Sequence, residues 1–189
     1  MKVILVGDPC SGKSTVIKRL EKEGYAVAIE DGIKKIPLAV ENDKIQAILW
    51  FTEYYFNRDK QSSTNKDKKI IAERSVHFQY AHTSAQAKYG KIRNEEKEHI
   101  LKRIDEFAKQ LPLEKETIVI QTVCSNEQTQ TRLQERSLHK KQDRYWNILR
   151  QETEDFFKEK TKYYKVDTTI LSTEEVYGEV KRILKENNF

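Results

Sequence analysis

Gly7-Asp8-Pro9-Cys10-Ser11-Gly12-Lys13-Ser14 (GDPCSGKS) satisfies every fixed position of the pattern GxxxxGK[ST]. Its glycines let the backbone turn so that successive N–H groups point inward, and a helix that follows adds its positive N-terminal end. Such a loop cradles the phosphates of a nucleoside triphosphate. Lys13 can reach the β- and γ-phosphates, and the Ser14 hydroxyl can ligate Mg²⁺. The binding set is therefore Gly7, Asp8, Pro9, Cys10, Ser11, Gly12, Lys13, Ser14 and Thr15, and it implies ATP with Mg²⁺. The flanks agree with this reading. Lys2 to Val6 (KVILV) is a short apolar run of the kind buried in a parallel sheet. From Lys13 an amphipathic helix carries Val16, Ile17 and Leu20 at helical spacing, with Gly24 just past its end. A buried strand before the loop and a helix after it separate the motif from a chance glycine turn.

Working outward, Tyr25 to Ile29 reads as a second strand ending at Glu30-Asp31-Gly32. Pro37 separates a short segment from a long helix over Asp43 to Lys60, and Gln61 to Asp67 (QSSTNKD) reads as a loop. Lys69 to Ala72 is a third strand running into Glu73-Arg74-Ser75, where another helix begins and reaches Tyr89-Gly90. Asn94 is positioned to cap a helix that continues to Leu111, where Pro112 stops it. Thr117 to Val123 is a fourth strand, Glu127 to Lys160 a long polar helical region broken near Ser137 to Asp143, and Tyr163 to Val166 a fifth strand. Ser172 and Glu175 form a capping box for the last helix. Strands alternating with helices imply right-handed crossovers. The expected fold is α/β, a three-layer P-loop NTPase arrangement. A five-stranded parallel sheet has helices on both faces, and residues 1–189 form one domain with a helical lid near 126–150.

Three features bear on what the cradle serves. In an open parallel sheet the carboxyl ends of the strands face the ligand crevice. Glu30, at the end of the second strand, can there accept the proton of an attacking hydroxyl or help hold Mg²⁺; otherwise it belongs to a solvated acidic turn. Glu73, at the end of the third strand, stands where an acid can hold the metal through water. Arg74 beside it offers a planar fork to an acceptor or a phosphate, unless the two form a structural ion pair. Arg132 and Arg136 are four apart on one helix face, with Arg144 further on. Such a series is either a solvated face or part of a lid that excludes water and neutralises charge on a transferring phosphoryl group.

The order of phosphate loop, Glu30-Asp31-Gly32, Glu73-Arg74-Ser75, arginine series and Asp167 strand end resembles the deoxynucleoside kinase and thymidylate kinase group. Glu73-Arg74-Ser75 is similar to the Glu-Arg-Ser triplet of deoxynucleoside kinases, where thymidylate kinases show Asp-Arg-Tyr. Glu30-Asp31-Gly32 resembles their Glu-Pro-Val or Glu-Pro-Gly, with aspartate in place of proline. Trp50-Phe51-Thr52 with Tyr54 and Tyr55 resembles their aromatic substrate helix. The resemblance implies an ATP-dependent kinase acting on a nucleoside-type acceptor, favouring a deoxynucleoside 5′-hydroxyl. A nucleoside monophosphate or another metabolite such as nicotinamide riboside is the alternative, and a nucleotide-switched regulatory protein stands further off. It implies Glu30 as general base, Glu73 as a metal-associated acid, Arg74 on the acceptor's 5′ end, and Lys13, Arg132 and Arg136 on ATP phosphates. Gln46 is a candidate base reader; Gln79 and Tyr80 can face the base or simply pack. The relatives also suggest a homodimer through the long helices.

Composition bounds the remainder. The chain has 189 residues, a formal charge of +5 and 34% charged residues, with acidic groups interspersed almost everywhere. That balance fits a solvated surface and needs no nucleic-acid partner. No apolar run approaches the roughly 18–20 residues that cross a bilayer, and the apolar strand pattern begins at once, so neither a membrane span nor a secretory signal is expected. Cys10 and Cys124 are too few for a disulfide framework and too far apart for a metal motif, so Cys10 reads as a small filler, a redox role for the pair being the alternative. A reducing, cytoplasmic compartment is expected. Phe51 and Phe56 read as core, while Trp50 and Tyr54 divide evenly between core and a base-stacking platform. His77, His82, His99 and His139 show no ligand spacing.

Overall fold

The computed structural model describes residues 2–63, 69–135 and 143–189. Its strands β1 (Lys2–Gly7), β2 (Ala26–Ala28), β3 (Ile70–Glu73), β4 (Ile118–Val123) and β5 (Lys162–Asp167) form one parallel sheet in the order β2-β3-β1-β4-β5. The described residues also carry eight α-helices: α1 (Lys13–Lys22), α2 (Leu38–Glu41), α3 (Lys44–Ser63), α4 (Phe78–Lys88), α5 (Asn94–Ala108), α6 (Asn126–Glu135), α7 (Asp143–Phe157) and α8 (Thr173–Glu186). The expected α/β arrangement is the one observed.

Alternation along β1 builds both faces. Val3 and Leu5 point to one side, where Val16, Ile17 and Leu20 of α1 and Val176, Val180 and Ile183 of α8 close over them. Ile4 and Val6 point to the other side, against Phe78 and Ala85 of α4 and Tyr145, Leu149 and Phe157 of α7. A strand buried on both faces must be apolar throughout, which is why KVILV carries no alternation. Truncating a side chain such as Ile17, 0% exposed, to alanine would cost about 2–5 kcal/mol. The long helix α3 and α5 lie further out, packed through Ile48, Ile100 and Ile104 and through Phe56 stacked on Phe107 at 4.4 Å.

β1 sits between β3 and β4, so the chain goes to one side of it for β2 and β3 and to the other for β4 and β5. This reversal opens a crevice at the carboxyl ends of the central strands. In register, Leu5 pairs with Glu73 on one side and Ile120 on the other, and Gly7 pairs with Thr122. The phosphate loop and the Glu73 turn therefore emerge side by side.

Several boundaries differ from expectation. The helix α3 runs through Gln61 to Ser63, with Ser62 Oγ donating back to the Arg58 carbonyl at 2.9 Å; residues 64–67 of the expected loop lie outside the described residues. The helix α4 starts at Phe78, three residues after Ser75, since Arg74 takes a left-handed backbone (φ 58°) and a turn intervenes. Asn94 is the first helical residue of α5 and not its cap. Glu96 accepts the Arg93 N–H at 2.7 Å and moves the cap back by one. That helix ends at Ala108, short of Leu111, and α7 ends at Phe157, short of Lys160. The Ser172–Glu175 capping box forms as read: Glu175 N–H donates to Ser172 Oγ at 3.3 Å, and Ser172 N–H to Glu175 Oε2 at 2.7 Å. Most of the expected break between α6 and α7, residues 136–142, lies outside the described residues.

Candidate active site

Gly7 lies against β4 so closely that a Cβ would stand 1.9 Å from the Thr122 carbonyl oxygen, and its φ of +137° belongs to glycine. Gly12 turns the chain into α1 at φ +89°. Cys10 also adopts a left-handed backbone, φ 58°, a conformation that costs a non-glycine residue energy and that the surrounding loop must hold. Ser11 Oγ donates to the Asp8 carbonyl at 2.8 Å and lies 2.7 Å from Thr122 Oγ1. Inside this loop Lys13 is 6% exposed, its ammonium donating to the Asp8 carbonyl and lying 3.5 Å from Ser11 Oγ. Burial, and after it the nearby Arg74 charge, lowers the Lys13 pKa to about 8. Ser14 and Thr15, in contrast, are exposed at the mouth of the loop.

Beside it, β2 and β3 deliver the strand-end acids. Ser14 Oγ donates to Glu73 Oε1 at 3.1 Å, and the Glu30 N–H donates to Glu73 Oε2 at 3.3 Å. Arg74 Nη1 donates to Glu30 Oε2 at 2.7 Å and lies 3.4 Å from the Tyr55 hydroxyl. Glu30 Oε1 and Arg74 Nε are both buried and have no partner among the described residues. Each member of the pair thus keeps one atom uncommitted. Asp31 points elsewhere: it accepts from the Tyr54 hydroxyl and pairs with Lys35 at 2.7 Å, so it secures the turn. Gly32 is required there by close approach, because a Cβ would meet Phe51 Cε1 at 2.7 Å.

Sequence reasoning missed the residues that hold the Arg74 turn. Arg58 on α3 donates to the Glu73 carbonyl at 2.8 Å and to the Arg74 carbonyl at 2.9 Å. Asp59, 1% exposed, accepts from Arg58 at 2.8 Å, from Lys2 at 3.1 Å and from the Val76 N–H at 3.3 Å. Arg150 was missed too. It comes from α7 and donates to the buried Asp8 carboxylate at 2.6 Å. Nothing in the sequence signalled Arg58, Asp59 or Arg150.

Arg132 reaches the loop from α6, but its donors go to carbonyls: Cys10 O at 3.2 Å and Thr168 O at 2.9 Å, with Cys124 Sγ at 3.5 Å. It lines a cleft of about 290 Å³ with Cys10, Gly12, Thr15, Leu171, Thr173 and Val176, on the outer side of the loop. Arg136 lies outside the described residues, and Arg144 is exposed on α7. Cys10 and Cys124 are both free thiols at the carboxyl ends of β1 and β4.

The base-reader candidates separate. Gln46 is exposed in a cleft with Leu49, His99 and Arg103. It stands nine residues from Tyr55, about two and a half helical turns, hence on the opposite face of α3 from the Glu30–Arg74 pair. That reading is corrected by helical phase. Tyr80 packs, stacked on Phe156 at 4.8 Å and donating to Asp105. Gln79 is 3% exposed with Oε1 unpartnered among the described residues, and Thr83 Oγ1, one turn on, is likewise unpartnered. Phe56 is core as read; Phe51 is half-buried against Tyr55. Tyr54 stacks on Trp50 at 5.4 Å, and burial together with Asp31 pushes its pKa up to about 12, so its hydroxyl serves the turn. His77 and His82 are pushed down to about 4, by burial first, and are neutral. Among the described residues no group of three or more His, Cys, Asp or Glu side chains is arranged to hold a metal by itself, and no helix is long and apolar enough to cross a membrane.

No family model and no curated protein matches the chain. Solved structures do. Deoxyadenosine kinase from M. mycoides, with the products dCMP and dCDP bound, is 17% identical with a TM-score of 0.76, covering 98% of this chain and 100% of the other. Thymidylate kinase from Candida albicans is 16% identical with a TM-score of 0.65, over 99% of this chain and 92% of the other. The YorR protein from Bacillus subtilis, in complex with phosphorylated GDP, is 16% identical with a TM-score of 0.58, over 98% and 96%. The chain thus has the fold of P-loop kinases of this group from end to end.

Proposed function

We propose that the chain is an ATP-dependent kinase that transfers the γ-phosphoryl group to the 5′-hydroxyl of a nucleoside-type acceptor, a deoxynucleoside first. The observation that carries this reading is Glu30. Its carboxylate is largely buried, one oxygen is held by Arg74 at 2.7 Å, and the other is uncommitted among the described residues. A fixed carboxylate with one free oxygen at the crevice can take the proton of an attacking hydroxyl. The proton moves to Glu30 Oε1 as the acceptor oxygen bonds to phosphorus, and ADP leaves. Arg74 holds the base in place and presents Nε to the acceptor.

Gly7 to Thr15 would hold the ATP phosphates, with Lys13 redirected from the Asp8 carbonyl to the β- and γ-phosphate oxygens, and the cleft between Gly12, Arg132 and Val176 would take the nucleotide base. Arg132 would add positive charge at this end. Ser14 and Glu73 fit Mg²⁺: both offer hard oxygen atoms, already 3.1 Å apart, and this ion ordinarily needs only one or two protein ligands beside phosphate. Bound there, it supplies neutralisation of charge on the phosphoryl oxygens. Gln79 and Thr83, buried with unpartnered oxygens, are suited to meet the acceptor's base. The solved kinases of the same fold, one with dCMP and dCDP as products, support a nucleotide-class substrate.

One observation favours a second reading. The buried, unpartnered Arg74 Nε could receive a 5′-phosphate, which would make the acceptor a nucleoside monophosphate. The test is ADP formation with Mg²⁺ across nucleosides and their monophosphates. Turnover with nucleosides supports the hydroxyl acceptor, turnover with monophosphates alone supports the second reading, and no turnover with either class contradicts both.

A further inference from the structure

Asp8 puts a carboxylate inside a loop shaped for phosphates. It is 1% exposed, and Oδ2 accepts the Cys124 N–H at 3.1 Å, which ties the first turn of the loop to the end of β4. That tie has an electrostatic consequence. A buried anion repels an incoming polyanion far more than an exposed one, because little water screens it. Asp8 also draws on Lys13, whose ammonium lies at the Asp8 carbonyl and within electrostatic reach of the carboxylate.

Arg150 offsets this charge from α7, 142 residues further along the chain. Its Nε donates to Asp8 Oδ2 at 2.6 Å, and its side chain is 16% exposed. The guanidinium is held in place by Nη1 donating to Asn147 Oδ1 at 2.9 Å, while the Arg150 carbonyl accepts from Gln121 Nε2 at 3.3 Å. Nη2 is buried without a partner among the described residues. The planar, permanently charged fork turns one edge to the acid and the other to Asn147.

We infer that Arg150 is a positioning residue of the nucleotide site: it neutralises Asp8, so that the loop is tied to β4 by a carboxylate without presenting net negative charge to a triphosphate. The inference rests on the reading of the loop as an ATP site. Nothing in it requires Arg150 to touch the nucleotide.

The test measures Mg²⁺–ATP affinity by titration calorimetry on the wild-type chain and on R150Q, R150K and D8N/R150Q, with the thermal midpoint of each recorded alongside. R150Q is expected to weaken ATP about ten-fold or more, as an uncompensated buried charge does. R150K keeps the charge and stays within about three-fold of wild type, and D8N/R150Q, which has no carboxylate left to offset, recovers to within about three-fold. Wild-type affinity in R150Q would overturn the inference. So would a folded double variant that binds as weakly as R150Q, since the pair would then act through shape alone. Should R150Q not fold, D8N makes the comparison from the other side: with the carboxylate gone and Arg150 kept, ATP is expected to bind at least as tightly as to wild type, and binding about ten-fold weaker in a folded D8N would overturn the inference. Failure of the wild-type chain to bind ATP would instead contradict the reading of the loop.

Discussion

Arg74 and Glu30, 44 residues apart in the chain, meet at 2.7 Å with each side chain keeping one buried atom uncommitted: Oε1 on the acid, Nε on the arginine. An unpartnered buried polar group costs about 1–3 kcal/mol. An acceptor that met these two atoms would offset that cost, as the proposed function has it.

Glu30→Gln follows directly. The amide keeps the shape and can still meet Arg74, but it cannot take a proton. Turnover of a hydroxyl acceptor should fall by roughly 10²–10⁴-fold while ATP affinity stays near wild type. Steady-state kinetics and calorimetry on the same preparation check both halves. Undiminished turnover would remove Glu30 from the chemistry.

Lys13 makes the site pH-dependent in a defined direction. Its pKa of about 8 lies below the ordinary lysine value because burial and Arg74 disfavour the charge. A triphosphate favours the charged form, so binding takes up a proton wherever free Lys13 is partly deprotonated. ATP affinity should therefore fall as pH rises through about 8, and calorimetry in buffers of differing ionisation enthalpy should record proton uptake on the alkaline side. Affinity independent of pH from 7 to roughly 9.5 would contradict the burial argument. Lys13→Ala should abolish turnover and flatten this dependence.

Arg58 holds the Arg74 turn from beneath through two carbonyls. Arg58→Ala leaves those carbonyls and Asp59 short of a donor. It should lower stability by about 3 kcal/mol in urea unfolding, with a drop in turnover larger than any change in ATP affinity. Lost stability with unchanged turnover would mean that the Arg74 conformation is held by other contacts.

Two glycines should respond in opposite ways. Gly7→Ala drives a methyl group into the Thr122 carbonyl and should abolish nucleotide binding. Gly178, inside α8 with nothing within 4 Å of an added Cβ, should tolerate alanine and gain roughly 0.5–1 kcal/mol of stability. Thermal unfolding and ATP titration of the two variants distinguish these outcomes.

How much of this was legible depended on range. The loop, its flanking strand and helix, and the strand-end Glu30 and Glu73 are short-range features whose chemistry follows from local backbone geometry, and the sheet order brings them together as the βα alternation implies. Arg58–Asp59 and Arg150 were not legible, because a charged residue on a helix reads as solvated until tertiary packing buries it. Gln46 failed for a related reason: residue type suited it to a base, but helical phase turned it away from Tyr55. For Arg132 the spacing left a solvated face and a lid open and the family resemblance implied a phosphate ligand; its hydrogen bonds run to the Cys10 and Thr168 carbonyls. Spacing along a helix indicates which residues share a face and leaves open what that face meets.

The proposed phosphoryl transfer to a deoxynucleoside can be followed by tracing the label from [γ-³²P]ATP with Mg²⁺ into a mixture of the four deoxynucleosides and resolving the products. Label in a deoxynucleoside 5′-monophosphate, lost on Glu30→Gln, is the expected result. Label confined to ATP and inorganic phosphate, from a chain that binds ATP and leaves every deoxynucleoside unmodified, would contradict it.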